Sequence, residues 1–264
     1  MQIPDELRKC VAFLFYIPRE GNGPKLAGTA FWLASIPDVT TYSFSYLVTV
    51  RHVIAGIQEG SADDKVLIRV NMKDGSLQFL ETHVSDWLFQ LDESASWIDV
   101  ATHRGFYPQD EIDFLPIPIE LAATDEVIKK YEIGVGDEIF LPGLFSGHFG
   151  RERNLPIVRA GNIAQFPEEP VRTSYGSTQV FLVESRSIGG LSGSPVFVHL
   201  GTSRVLGGKT QLMTAEPRFW WLGLIQGHWD EEVETQKSLV GKEYVNLGIS
   251  FVIPTKKILE VIGR

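Results

Sequence analysis

A histidine, an aspartate and a serine stand in segments whose chemistry depends on one another. The first segment is Tyr46-Leu-Val-Thr-Val-Arg-His52-Val-Ile, a buried-type strand ending in a histidine. The second is Trp97-Ile-Asp99-Val-Ala, an aspartate with apolar neighbours on both sides. The third is Ser187-Ile-Gly-Gly-Leu-Ser192-Gly-Ser-Pro-Val-Phe-Val, a serine framed by glycines just before a β-run. Taken singly, each has an ordinary reading: a histidine capping a strand, a loop carboxylate, a Gly/Ser turn. Together they form a chemical set. A hydroxyl is a weak nucleophile until a base takes its proton, and the base needs a carboxylate to fix its tautomer. Glycines let the backbone turn sharply and aim several N–H groups at one small space, as a developing oxyanion requires. The order is His52, Asp99, Ser192, with gaps of 47 and 93 residues. Asp99 fits the carboxylate role better than Asp86 or Asp92. Ile98 and Val100 place it at a buried strand end, where a carboxylate persists only if hydrogen-bonded, whereas Asp92 is followed by Glu93 and Ser94.

The elements that must position these residues are short and β-rich. Runs of Val, Ile, Phe, Tyr and Trp bounded by Gly, Pro, Asp or Ser recur at Val11–Ile17, Gly28–Ala34, Ser45–Val50, Lys65–Val70, Gln78–Thr82 and Val100–His103. They continue at Glu138–Pro142, Val158–Gln165, Gln179–Val183, Pro195–Leu200, Trp220–Gln226 and Leu247–Ile253. About twelve short strands with little helical periodicity between them predict an all-β barrel or sandwich. Two helices are expected: a short one opened by Pro4 and running through Arg8, and one from Pro254 to Ile262 stopped by Gly263. The seam falls at Pro116–Val127, which begins with two prolines and reads as a linker. Residues 143–154 and 230–244 read as surface loops. Phe219-Trp220-Trp221 reads as a core strand rather than a ligand cage.

Composition narrows the function. With 264 residues, 44% of them hydrophobic, the chain can build a core without disulfides or metal. The formal net charge of −9 disfavours nucleic acid as a partner. The one cysteine, Cys10, has no partner within the chain, which favours a reducing, cytoplasmic setting. The start MQIPDELRKC lacks the apolar stretch of a signal peptide, and no apolar run approaches ~18 residues, so no membrane association is expected. His83, His103, His148, His199 and His228 show no metal-ligand spacing. Gly134–Gly136 lacks the third glycine of a dinucleotide site. No metal and no cofactor are expected.

The ordered set resembles the trypsin-like (chymotrypsin-fold) serine peptidases of the disulfide-free bacterial type. Gly28-Thr-Ala-Phe-Trp-Leu resembles the strand before the catalytic histidine. Thr49-Val-Arg-His52 resembles Thr-Ala-Ala-His, Ile98-Asp99-Val-Ala resembles Asp-Ile-Ala, and Gly190-Leu-Ser192-Gly-Ser-Pro resembles Gly-Asp-Ser-Gly-Gly-Pro. Gly134–Gly143 resembles the opening strand of the second barrel. Leu222-Gly-Leu-Ile-Gln-Gly and Gly248-Ile-Ser-Phe-Val-Ile-Pro resemble the strands that wall the specificity pocket. The resemblance implies two six-stranded antiparallel β-barrels with a short C-terminal helix. The N-terminal barrel, residues 10–122, would carry His52 and Asp99, and the C-terminal one, residues 127–264, would carry Ser192. It further implies peptide-bond hydrolysis of a polypeptide substrate, with the N–H groups of Gly190 and Ser192 as oxyanion hole. Arg186 would form the pocket base, and Ser187, Gln226, Gly227, His228, Gly248 and Ser250 its walls. No carboxylate lies in this pocket set, which disfavours a Lys or Arg preference. Arg186, Ser187, His228 and Ser250 could surround an acidic side chain, and Ser-Gly-Ser-Pro-Val-Phe with His228-Trp229 is similar to the bacterial glutamyl endopeptidases. The alternative is that Arg186 points to solvent and the pocket takes small apolar residues.

Two positions depart from the family. Leu191 stands where the family has Asp or Asn, and there is no Ile-Val-Gly-Gly start, so activation by a freed N-terminus is not expected. Arg51, directly before the histidine, is either a surface charge or a contact to substrate. The rival reading is a pseudo-peptidase, the same fold kept as a protein-binding module. A peptidase held inactive until a regulatory protein partner orders its loops is compatible with the enzyme.

Overall fold

The computed structural model of the chain describes residues 3–21, 23–35, 44–91, 97–105, 107–185, 189–213, 218–233 and 243–263. In the N-terminal half, a 3-10 turn at Asp5–Cys10 leads into strands β1 (Val11–Tyr16), β2 (Lys25–Ser35) and β3 (Phe44–Thr49). Helix α1 (Arg51–Gly60) follows, then β4 (Lys65–Asn71), β5 (Leu77–His83), β6 (Ala101–Gly105) and β7 (Ile117–Pro118). They form a seven-stranded sheet in the order β5-β4-β1-β2-β3-β6, with β7 beside β2. The centre of this sheet is β1. Its six residues VAFLFY are all buried, as the covered middle of a sheet demands.

Helix α1 begins at Arg51, because β3 stops at Thr49 and Val50 is extended. His52 therefore sits in the first turn of a helix and not at the end of a strand. The physical reason is the spacing of Val53, Ile54 and Ile57, which places three buried side chains on one helical face.

The C-terminal half holds α2 (Asp125–Lys130), β8 (Glu138–Gly143), β9 (Ile157–Gln165), β10 (Val171–Thr173), β11 (Gly176–Thr178), β12 (Phe181–Glu184) and β13 (Pro195–His199). It continues through β14 (Ser203–Leu206), β15 (Lys209–Leu212), β16 (Phe219–Val233), β17 (Glu243–Pro254) and α3 (Thr255–Val261). Strands β12-β17-β16-β13-β8-β9 close into a barrel, while β10–β11 and β14–β15 are separate two-stranded hairpins. Helix α3 buries Thr255, Ile258 and Val261.

Among the described residues the architecture is thus mostly β, with one closed six-stranded barrel and a half-barrel sheet in place of the second barrel expected. In the N-terminal sheet β5 and β6 lie at opposite edges and do not pair. The chain leaving β5 meets β6 at a single bridge, Leu88–Thr102. Strand β5 (LQFLETH) is largely solvent-facing, so it offers little apolar face to draw the edges together.

The stretch expected as a linker is ordered and touches both halves. Ile117 pairs with Leu33 in parallel, Ala123 N–H donates to Trp221 O at 2.8 Å, and Thr124 caps α2. Residues 143–154 are also not all surface. Leu144 is fully buried, and Asn154 is 5% exposed and accepts Arg69 Nη1 at 3.0 Å. Within 230–244, β16 runs to Val233 and β17 starts at Glu243; residues 234–242 lie outside the described ones. One apolar cluster runs from Phe13, Phe31 and Ile68 to Trp221, Leu224 and Ile258, so the two halves share a core. The Phe31 and Trp221 rings meet edge-on at 5.5 Å in its middle.

Candidate active site

The first turn of α1 brings two groups of His52 to one carboxylate. The His52 backbone N–H donates to Asp99 Oδ1 at 2.9 Å, and ring Nδ1 lies 2.8 Å from Asp99 Oδ2. A carboxylate at a helix N-terminus also meets the positive end of the helix dipole. Asp99 is 9% exposed, between buried Ile98 and Val100, and follows the Leu91–Trp97 bridge. A third donor comes from the other half: Gln226 Nε2 lies 3.0 Å from Asp99 Oδ2. Three donors compensate the burial of the negative charge. The aspartate fixes the proton on Nδ1, which leaves Nε2 free to accept one.

Arg51 is packed against aromatic rings. Its guanidinium lies 4.4 Å from the Trp97 ring centroid and 5.9 Å from that of Phe89. Leu191, the departure from the resembled pattern beside the serine, is fully buried in the apolar interior of the C-terminal barrel, an environment that suits leucine and would penalise a polar side chain.

The serine loop is built from tight turns and held by the opposite half. Gly190 and Gly193 have φ of +100° and +87°, a region that L side chains rarely adopt. A Cβ on Gly193 would sit 2.1 Å from Thr29 O and 2.4 Å from Thr49 Oγ1, so only glycine fits. Thr29 on β2 is the anchor. Its N–H donates to Ser192 O at 3.1 Å, and its hydroxyl donates to Gly190 O at 2.6 Å. The same hydroxyl accepts Leu144 N–H at 3.1 Å, and Thr29 O accepts the Thr49 hydroxyl at 2.6 Å. From its own half the loop receives Gly193 N–H to Ile225 O at 2.8 Å and Ile225 N–H to Ser194 O at 2.9 Å. The N–H groups of Gly190 and Ser192 donate to no backbone acceptor among the described residues. Ser192 is half-buried, and among the described residues its hydroxyl makes no hydrogen bond to His52.

The tip of the β10–β11 hairpin also reaches the site. The Tyr175 ring stacks on the His52 ring with centroids 3.9 Å apart and planes 3° from parallel. Burial, then the Asp99 charge, raises the Tyr175 phenol above its ordinary pKa and keeps it neutral.

Of the expected pocket residues, Arg186 and Ser187 lie outside the described ones. Gly227, His228, Gly248 and Ser250 come together on the paired strands β16 and β17, with His228 opposite Ser250. His228 Nε2 lies 3.2 Å from Asp230 Oδ1, and the Ser250 hydroxyl donates to Ser185 O at 2.7 Å. Gly248 has φ of +79° and donates its N–H to Asn246 Oδ1 at 2.8 Å. Gln226, expected on a pocket wall, is 1% exposed and turns its amide to Asp99, and its Oε1 has no partner among the described residues.

Sequence reasoning gave no role to Thr29 or Tyr175. Thr29 lay within the Gly28-Thr-Ala-Phe-Trp-Leu motif, where it could have been weighed; Tyr175 carries no local signal. Among the described residues no group of three His, Cys, Asp or Glu side chains is placed to hold a metal, and no helix is long and apolar enough to cross a membrane.

No family model and no curated protein sequence matches the chain. Solved structures do. The MamO protease domain from Magnetospirillum magneticum, in its apo form, matches with a TM-score of 0.52 at 11% identity, over 97% of both chains. Rv3671c from M. tuberculosis H37Rv, in the inactive form of a serine-to-alanine mutant, matches with a TM-score of 0.48 at 16% identity, over 97% of this chain and 87% of that one. The chain shares its fold with the MamO protease domain.

Proposed function

We propose that the protein is a serine endopeptidase of the trypsin-like class, cleaving polypeptides through an acyl-enzyme. The observation that carries this reading is the two-point bond between His52 and Asp99, with the Ser192 loop anchored across the cleft by Thr29. In this mechanism Ser192 Oγ attacks the peptide carbonyl while His52 Nε2 takes its proton. Asp99 holds the imidazole and offsets the charge that forms on it. The N–H groups of Gly190 and Ser192 receive the oxyanion. His52 then gives the proton to the leaving amine, and water repeats the sequence on the ester.

Attack requires the Ser192 hydroxyl to come within hydrogen-bond reach of His52 Nε2. A second reading is a protein-binding module with the same fold, and a third is a peptidase that a polypeptide partner must switch on. Labelling by a fluorophosphonate probe separates the active peptidase from both. Modification of the wild-type chain at Ser192, absent in Ser192→Ala, is the expected result. A wild-type chain that resists the probe, or a Ser192→Ala chain that still cleaves peptides, overturns the assignment. Replacing Ser192 should leave folding nearly unchanged and lower turnover by ~10⁴-fold or more.

The proposed preference for an acidic residue before the scissile bond rests on Arg186 and Ser187, because His228 and Ser250 already have partners. A peptide library cleaved mainly after Ala, Val or Leu ends that idea. A cytoplasmic setting is supported by the single cysteine, whose burial pushes its thiol pKa well up and leaves it unreactive.

A further inference from the structure

The β10–β11 hairpin is joined to the molecule in an unusual way. Among the described residues its two strands pair with each other and with no barrel strand. Its tip is nevertheless well formed: the Thr173 hydroxyl donates to Gly176 O at 2.9 Å and accepts Tyr175 N–H at 3.1 Å, and Gly176 turns the chain at φ of +118°. This hydrogen-bonded tip on a separate two-stranded body presents Tyr175 to the catalytic cleft. The Tyr175 ring lies parallel on His52, which belongs to the N-terminal half. Its other edge reaches the C-terminal half, where Cε2 would lie 4.0 Å from a Cβ on Gly227. The ring therefore spans the cleft from the base to strand β16. With ring centroids at 3.9 Å, no atom of a substrate fits between tyrosine and imidazole. At the same time Tyr175 is 50% exposed, so displacing it uncovers little apolar surface.

We infer that Tyr175 is a built-in stopper, a side chain of the chain itself that occupies the place a bound polypeptide must take beside His52. The resting protein is closed, and substrate or a polypeptide partner opens it by swinging the hairpin outward. This rests on reading His52 as the catalytic base. A stacked aromatic pair is weak enough to be reversed by a peptide and strong enough to lower the open fraction several-fold.

The test reads the imidazole directly. Diethylpyrocarbonate modification of His52, followed by mass spectrometry of its peptide, is compared in wild type, Tyr175→Ala and Tyr175→Phe. Removing the ring should raise the rate roughly two- to tenfold, whereas phenylalanine, which keeps the stack, should stay near wild type. An unchanged rate in Tyr175→Ala overturns the inference. Peptide turnover supplies the second arm: kcat/KM should rise by a similar factor in Tyr175→Ala. A fall would make Tyr175 a wall that grips substrate, and would also overturn it. If no variant is labelled by fluorophosphonate or cleaves any peptide, the peptidase reading fails, and the His52 modification rates still decide whether the tyrosine is a stopper.

Discussion

The two sides of the cleft are held in different ways. His52 and Asp99, the proposed base and its carboxylate, are set mainly from within the N-terminal half, by a helix start that offers one carboxylate both a backbone N–H and a ring nitrogen. The Ser192 loop, the proposed nucleophile's, is set from both halves: by Ile225 within its own, and across the interface by the Thr29 N–H and hydroxyl and the space that Thr29 and Thr49 leave for Gly193. The difference teaches that, on the proposed reading, the base is held mostly by contacts of its own half, whereas the serine loop also draws on contacts from across the interface. Gln226 is the exception, a single bond from β16 to Asp99.

Breaking the base side should have the largest effect. Asp99→Asn keeps the shape but reverses the tautomer that the carboxylate enforces, and turnover should fall ~10⁴-fold with little loss of stability. Steady-state kinetics beside a denaturant melt checks both. Full activity in Asp99→Asn would mean that Asp99 does not orient the base.

Breaking the nucleophile side across the interface should cost less. Thr29→Val keeps the volume but removes the hydroxyl, leaving Gly190 O and Leu144 N–H without it. Stability should drop by roughly 1–3 kcal/mol, and kcat/KM by about 10–100-fold as the loop shifts. A variant that loses stability at unchanged kcat/KM would show that the C-terminal half positions its serine unaided.

The smallest effect sharpens the comparison at its exception. Gln226→Leu removes one of three donors to Asp99 and, with it, a buried oxygen that has no partner among the described residues. Turnover should fall about tenfold while the unfolding midpoint barely moves, because the lost bond and the removed penalty offset. A loss as large as that of Asp99→Asn would mean the base side also depends on docking.

The strands were legible where burial is one-sided or complete, as in β1 and β4, because their Val, Ile, Leu and Phe runs have no other stable use. Helix α1 was not, since Val50 to Ile57 is a short apolar run that periodicity reads as either element. The hairpins β10–β11 and β14–β15 were missed for a different reason. Their three- and four-residue strands are mostly solvent-exposed and carry no hydrophobic signature. The first half's open edge was hidden as well, because one strand's pattern does not reveal whether its neighbour closes on it. At the site, His52, Asp99 and Ser192 were legible from type and order. Thr29 and Tyr175 act mainly through partners far along the chain, Leu144 and Gly190 for one and His52 for the other, and no local pattern reveals such contacts.

Arg69 on β4 has a consequence for how this molecule meets its surroundings. It is 3% exposed and reaches into the C-terminal half, where Phe149 O, Gly150 O, Arg151 O and Asn154 Oδ1 accept from its guanidinium. Every one of these acceptors is uncharged. A guanidinium does not deprotonate, and peptide and amide oxygens do not titrate in any habitable range, so nothing in this clasp responds to acidity. Burial likewise shields it from dissolved ions, unlike the exposed Lys65–Glu81 pair. The seam between the halves is fastened by a joint indifferent to acid and brine.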